Sequence, residues 1–142
     1  MKILTVDDSR MIRVIISNTI KSLGHEVLEA PNADKALAVL EENYETIGLI
    51  LLDWNMPGMN GYELLKIIKN DKKYKHIPVM MVTTEGERKN VIKAIQSGAD
   101  NYLTKPFTPE DLSTKIFECA GMGFEESYGT EEIDLSLDDL DF

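Results

Sequence analysis

The chain has 142 residues, 43% hydrophobic and 28% charged, which fits one ordinary folded domain and excludes both a wholly disordered chain and two separate cores. Its formal net charge of −10 argues against nucleic acid as a direct partner, because phosphate binding needs clustered Lys and Arg. No apolar run approaches the roughly 20 residues that span a bilayer, and the opening MKILTVDDSR meets charge too early for a signal peptide, so a cytoplasmic protein without membrane contact is expected.

Residues 2–6, KILTV, make a short apolar run of the length of a buried strand. Met11, Ile12, Ile15, Ile16, Thr19, Ile20 and Leu23 then recur at helical spacing, and Gly24 supplies a C-terminal stop. A weaker strand, HEVLEA, covers 25–30, and a helix over 32–42 repeats Ala33, Ala36, Leu37 and Leu40. IGLILL at 47–52 is a third strand, followed by a helix over 61–70 with Leu64, Leu65 and Ile68. IPVMMV at 77–82 is a fourth, followed by a helix over 88–97 with Val91, Ile92 and Ile95 ahead of Gly98. NYLT at 101–104 is the last, before a helix over 109–120 with Leu112, Ile116 and Ala120. Each helix shows one apolar stripe. Cys119, the lone cysteine, permits no internal disulfide and no cysteine-based zinc site, and is expected to be a buried, inert thiol.

Strand alternates with helix five times, and connections of this length permit parallel neighbours joined by right-handed crossovers. The expected fold is α/β, a doubly wound five-stranded parallel sheet of order 2-1-3-4-5, flavodoxin-like, over residues 1–120. In such sheets the ligand site lies beyond the carboxyl ends of the strands, near the switch in strand order.

Those ends carry the chemistry. The first strand runs into Asp7 and Asp8, the third into Asp53, the fourth into Thr83 and Thr84, and the fifth into Lys105 and Pro106. Order 2-1-3-4-5 makes the first and third strands neighbours, which brings Asp7, Asp8 and Asp53 together. Two like charges at 4 Å repel by about 4 kcal/mol at an effective dielectric of 20, so three carboxylates need a cation or a raised pKa. Hard oxygen ligands suit Mg²⁺, which keeps several waters and is commonly held by one or two carboxylates together with phosphate oxygens. Lys105 supplies a positive charge and Thr83 a hydroxyl donor, both suited to an incoming phosphoryl group. Taken singly, each residue has a plainer explanation: Asp8 or Ser9 as a helix N-cap, Thr83 as a cap, Lys105 as a solvated side chain. Five matching positions at the appropriate strand ends favour the site.

The stretches VDDSRMIR, LLDWNMPGMNGYELL, MMVTTEG and SGADNYLTKPF resemble the response regulator receiver domains, and among these the single-domain chemotaxis regulators of the CheY type, over residues 1–120. The resemblance implies a phosphorylation-dependent switch of a two-component, chemotaxis-type system rather than a turnover enzyme. It implies Asp53 as phosphoacceptor, Mg²⁺ arranged by Asp7, Asp8, Asp53 and the Asn55 carbonyl, and Thr83 and Lys105 on the phosphoryl oxygens. Tyr102 is the implied switch aromatic, and the Lys105-Pro106 bond is implied to be cis. The implied partners are a histidine kinase, an output protein such as the flagellar motor switch, and a phosphatase, with the chain itself a monomer. Thr84 departs from the family, which usually holds a small residue there, and its bulk is expected to narrow access to the phosphoryl group. Asn55 and Glu85 match the pairing that the family associates with rapid self-hydrolysis, although they also read plainly as a turn residue and a first-turn helix acid.

The implied mechanism is attack of the Asp53 carboxylate on a kinase phosphohistidine, with catalysis by positioning and charge neutralisation. The added charge draws Thr83 inward, and Tyr102 turns into the space, altering the surface of the fourth helix, fifth strand and fifth helix. Lys105→Ala is expected to leave Mg²⁺ affinity largely intact while uncoupling output. Two other readings compete. A docking adaptor that never carries phosphate is disfavoured because no site residue is missing. A flavodoxin-like protein or Mg²⁺-dependent phosphatase is disfavoured because no Ser/Thr/Gly-rich phosphate cradle follows the first or third strand and no second catalytic acid follows Asp53 at short spacing.

Residues 121–142 form an acidic tail beyond the resemblance. From Glu125 onward it holds eight acids and no basic residue, interleaved with Ile133, Leu135, Leu137, Leu140 and Phe142. A disordered terminus and a docking element are both open. Ile133, Leu137 and Leu140 fit a helical stripe, while Ile133, Leu135 and Leu137 fit strand alternation.

Overall fold

The computed structural model describes residues 1–84 and 88–120; Glu85 and the tail lie outside the described residues. Strands β1 (Lys2–Val6), β2 (Glu26–Ala30), β3 (Ile47–Leu52), β4 (Val79–Thr83) and β5 (Asn101–Thr104) alternate with helices α1 (Arg10–Ser22), α2 (Ala33–Asn43), α3 (Gly61–Asn70), α4 (Arg88–Gln96) and α5 (Pro109–Ala120). All neighbouring strands are parallel, in the expected order β2-β1-β3-β4-β5. The register sets Val6 against Leu52, so the residues that follow β1 and β3 emerge side by side.

The near-continuous apolar runs of β3 and β4 follow from burial on both faces. One cluster joins Leu4, Ile50 and Met81 to Leu40 of α2 and Leu64 of α3. The other joins Ile3, Leu51 and Val82 to Ile16 and Ile20 of α1 and to Leu112 and Ile116 of α5. Strands clamped from both sides deliver their carboxyl ends as rigid supports.

Two details differ from the sequence expectation. β4 starts at Val79 rather than Ile77, because Pro78 has no N–H for the ladder; its carbonyl accepts from the Ile50 N–H at 2.9 Å. The apolar stripe of α1 is only partly inward. Ile16 and Ile20 are buried, but Met11, Ile15 and Leu23 of the stripe are exposed, as is Val14 beside it. Apolar residues occupy more of this helix's circumference than one sheet face can cover, and polar contacts fix its rotation. Ser17 donates to Glu29 Oε2 at 3.1 Å, and Arg13 Nε to Glu29 Oε1 at 3.1 Å. The N-cap of α1 is Ser9, whose hydroxyl accepts from the Ile12 N–H at 3.2 Å, so Asp8 is not the cap. A capping box between Asn60 and Glu63 starts α3.

Candidate functional site

Asp7 and Asp53 are each the first residue past a central strand. The Asp53 N–H donates to the Val6 carbonyl at 3.0 Å and the Asp7 N–H to the Ala30 carbonyl at 3.1 Å, which extends the sheet by one residue at each point. Both side chains are buried and Asp8 is exposed at the rim. Carboxylate oxygens of Asp7, Asp8 and Asp53, one from each, lie within 4.8 Å of one another. Asp7 is further held by the Ser9 N–H, 2.9 Å from its Oδ1, while Arg13 Nη1 donates to its carbonyl at 2.7 Å.

Lys105 arrives from the end of β5. Its N–H donates to the Thr83 carbonyl at 2.9 Å, and its peptide bond to Pro106 is cis. Its Nζ lies 2.7 Å from Asp7 Oδ2 and 3.4 Å from Asp53 Oδ2, so one ammonium bridges the two buried acids. Burial and then the Asp7 charge push the Asp53 pKa above the ordinary aspartate value, against the opposing pull of Lys105 and the Asn55 N–H. One lysine does not balance three carboxylates, and a hard cation fits the excess of oxygen charge. The ammonium's direct bond to Asp7 also revises the expectation for Lys105→Ala: losing the lysine removes a charge that competes with a cation, so divalent affinity is expected to rise.

The remaining sequence-derived residues surround this cluster. Thr83 is the fully buried last residue of β4. Asn55 and Thr84 are both exposed, and Asn55 Nδ2 donates to Thr84 Oγ1 at 3.3 Å, linking the loop after β3 to the end of β4. Tyr102 of β5 is half-buried against the cluster that contains Ala94 of α4. Glu85 lies outside the described residues.

Three contributors carried no sequence signal of their own. Arg13 reads as a solvated charge on a helix, yet it holds the Asp7 backbone. Trp54 stacks on Tyr62 with centroids 5.0 Å apart, and Lys66 and Lys93 lie 4.7 and 4.6 Å from the Tyr62 ring, tying the residue after Asp53 to α3 and α4. Gly61 reads only as the first residue of a helix, but a Cβ there would stand 1.8 Å from the Asp53 carbonyl oxygen. Backbone cannot yield that distance. Gly61→Ala is therefore expected to destabilise the fold by about 1–3 kcal/mol in urea titration, and to lower divalent affinity because Asp53 must shift. An unchanged urea midpoint would show that the loop relaxes freely.

A parallel sheet of this order with buried aspartates facing a lysine at its carboxyl edge defines a class of regulatory α/β domains, and comparison with known proteins places the chain within it. The response regulator receiver domain family matches residues 3–117. A chemotaxis protein CheY homologue of Campylobacter jejuni is 47% identical over 127 residues, covering 89% of this chain and 97% of the relative. Chemotaxis protein CheY1 of Helicobacter pylori is 47% identical over 117 residues, covering 82% and 94%. The solved structure of the chemotaxis response regulator CheY4 of Vibrio cholerae superposes with a TM-score of 0.77 at 36% identity, covering 83% of this chain and 97% of that one. The chain belongs to the response regulator receiver domain family.

Proposed function

We propose that the protein is a phosphorylation switch of a chemotaxis-type two-component system, with Asp53 accepting a phosphoryl group from a histidine kinase. The observation that carries this reading is the convergence of Asp7, Asp8 and Asp53 beneath the Lys105 ammonium. Asp7, Asp8, Asp53 and the Asn55 carbonyl would hold Mg²⁺, which supplies neutralisation of the phosphoryl and carboxylate charge. Asp53 presents its carboxylate as the nucleophile. Lys105, already 3.4 Å from Asp53, moves its charge onto the new phosphoryl oxygens, and the Thr83 hydroxyl donates to another of them. The Gly61 N–H, 2.7 Å from the Trp54 carbonyl, and the stacking of Trp54 on Tyr62 fix the backbone just after Asp53, so that attack costs little reorganisation. Tyr102 responds to Thr83 as the switch aromatic, and output passes by protein contact to a partner that, for relatives of this kind, belongs to chemotaxis. A flagellar motor switch is the proposed recipient, with a phosphatase as the proposed off-signal and a cytoplasmic monomer as the acting form. The domain assists its own phosphorylation and hydrolysis but turns over no separate substrate.

Acetyl phosphate with Mg²⁺ tests this reading. One phosphoryl group per chain is expected, absent with EDTA. No labelling would leave a docking adaptor, and continuous consumption without a labelled chain would indicate a phosphatase.

Thr84 and Asn55 tune the lifetime of the label. Their hydrogen bond ties the loop after Asp53 to the end of β4, so Thr84→Ala should both remove bulk and release Asn55. Self-hydrolysis is expected to speed several-fold, on the order of the factor that one modest hydrogen bond represents. An unchanged lifetime of the labelled variant would remove Thr84 from this role.

A further inference from the structure

The outward faces of α1 and α5 carry large exposed apolar side chains. Met11 is 72% exposed, Val14 45%, Ile15 42% and Phe117 64%. Successive helix residues turn by about 100°, which places these side chains relative to known neighbours. On α1, Arg13 and Ser17 mark the side that reaches Glu29 of β2, and Ile15 and Met11 lie on the opposite side. On α5, Glu118 marks the side that hydrogen-bonds Asn101 of β5, and Phe117 lies away from it. Since α1 and α5 pack beside one another over the same face of the sheet, Met11, Ile15 and Phe117 border one seam. Exposed apolar side chains grouped along one seam are the kind of surface that docks a partner.

We propose that this seam is covered by the chain's own acidic tail, residues 125–142. Three observations select that occupant. Phe117 stands in the last turn of α5, which ends at Ala120, so the tail begins at one end of the seam and meets it at high effective concentration. Reach is ample: twenty-two residues follow Ala120, about 70 Å when extended, against an α1 about 20 Å long. Side-chain type is complementary: Ile133, Leu135, Leu137, Leu140 and Phe142 give the tail large apolar side chains to lay along Met11, Ile15 and Phe117. The docked tail shields α1 beside Asp7 and Asp8, and so competes with any protein that approaches Asp53 across α1. This inference stands independently of phosphoryl transfer.

A spin label at position 136, introduced as Ser136→Cys in a Cys119→Ala background of the full chain, tests it. The amide signals of Met11, Ile15 and Phe117 are expected to lose most of their intensity at every protein concentration, and to regain it in Leu137→Asp/Leu140→Asp. The unlabelled Leu137→Asp/Leu140→Asp chain, which leaves Cys119 in place, should show shifts at the same amides. Broadening centred on Lys93 and Tyr102, or no broadening of the domain, overturns the proposal. Broadening of an isotope-labelled chain by a separately spin-labelled chain overturns it in favour of a second copy as occupant.

Discussion

Asp53→Asn is expected to abolish labelling by acetyl phosphate, to background, because the amide is a poor nucleophile and a weaker ligand for a hard cation. The same change is expected to stabilise the metal-free protein at neutral pH. In the fold, burial and Asp7 raise the pKa of Asp53, so ionising it costs more in the native state than in the unfolded chain. Below about pH 4 both states carry the proton and the cost vanishes. As pH climbs through the unfolded and then the folded pKa, the native state loses stability that asparagine does not lose. The gain in melting temperature of Asp53→Asn over the parent should therefore be present at pH 7 and disappear toward pH 3. Divalent cations should reverse the order, since a ligand at a hundredfold excess over its Kd adds about 2.7 kcal/mol to the chain that binds it and little to the variant. Retained labelling would move the acceptor elsewhere. A variant less stable than the parent at neutral pH in EDTA would mean that Asp53 is held by favourable contacts that outweigh its burial.

Most of the fold was legible because its strands are marked by composition and its helices by spacing. IGLILL and the core of IPVMMV are unbroken apolar runs, and only central parallel strands bury both faces, so their place in the sheet follows from their sequence. The acids of the site were equally legible, since strand order alone brings Asp7 and Asp53 together. The partial failure on α1 has a physical cause. Met11 and Ile15 match the helical period as well as Ile16 does, and what decides between them is the polar grip of Glu29 on Arg13 and Ser17, a contact from another strand. Gly61 was hidden for a similar reason, because its need for a missing side chain comes from the Asp53 carbonyl eight residues earlier. The bridge from Lys105 to Asp7 was also invisible, since the sequence places the lysine at the site without saying which acid it chooses when no phosphoryl group is present.

That bridge makes Lys105→Ala the larger structural perturbation. Its Nζ is the one cation within salt-bridge distance of Asp7 and Asp53 among the described residues, at 2.7 and 3.4 Å. Removing one partner of a buried pair typically costs about 3–5 kcal/mol, and the part-buried lysine puts this site at the lower end, near 3 kcal/mol, at neutral pH in EDTA. The loss should shrink as pH falls. Without the lysine Asp53, whose pKa burial and Asp7 already raise, takes up its proton more readily, so the deficit in the urea midpoint should be greatest near pH 7 and narrow toward pH 3. Divalent cation should close it at neutral pH as well, by restoring positive charge to the same oxygens. Mg²⁺ is thus expected to raise the midpoint of Lys105→Ala by more than that of the parent, and to bind the variant more tightly. Phosphorylation of the variant should still occur but change the α4–β5 surface little, because the charge that would follow the phosphoryl group is gone. Equal Mg²⁺ increments in parent and variant would mean that lysine and cation do not share Asp7, and that the 2.7 Å contact contributes nothing to the balance of charge at the site.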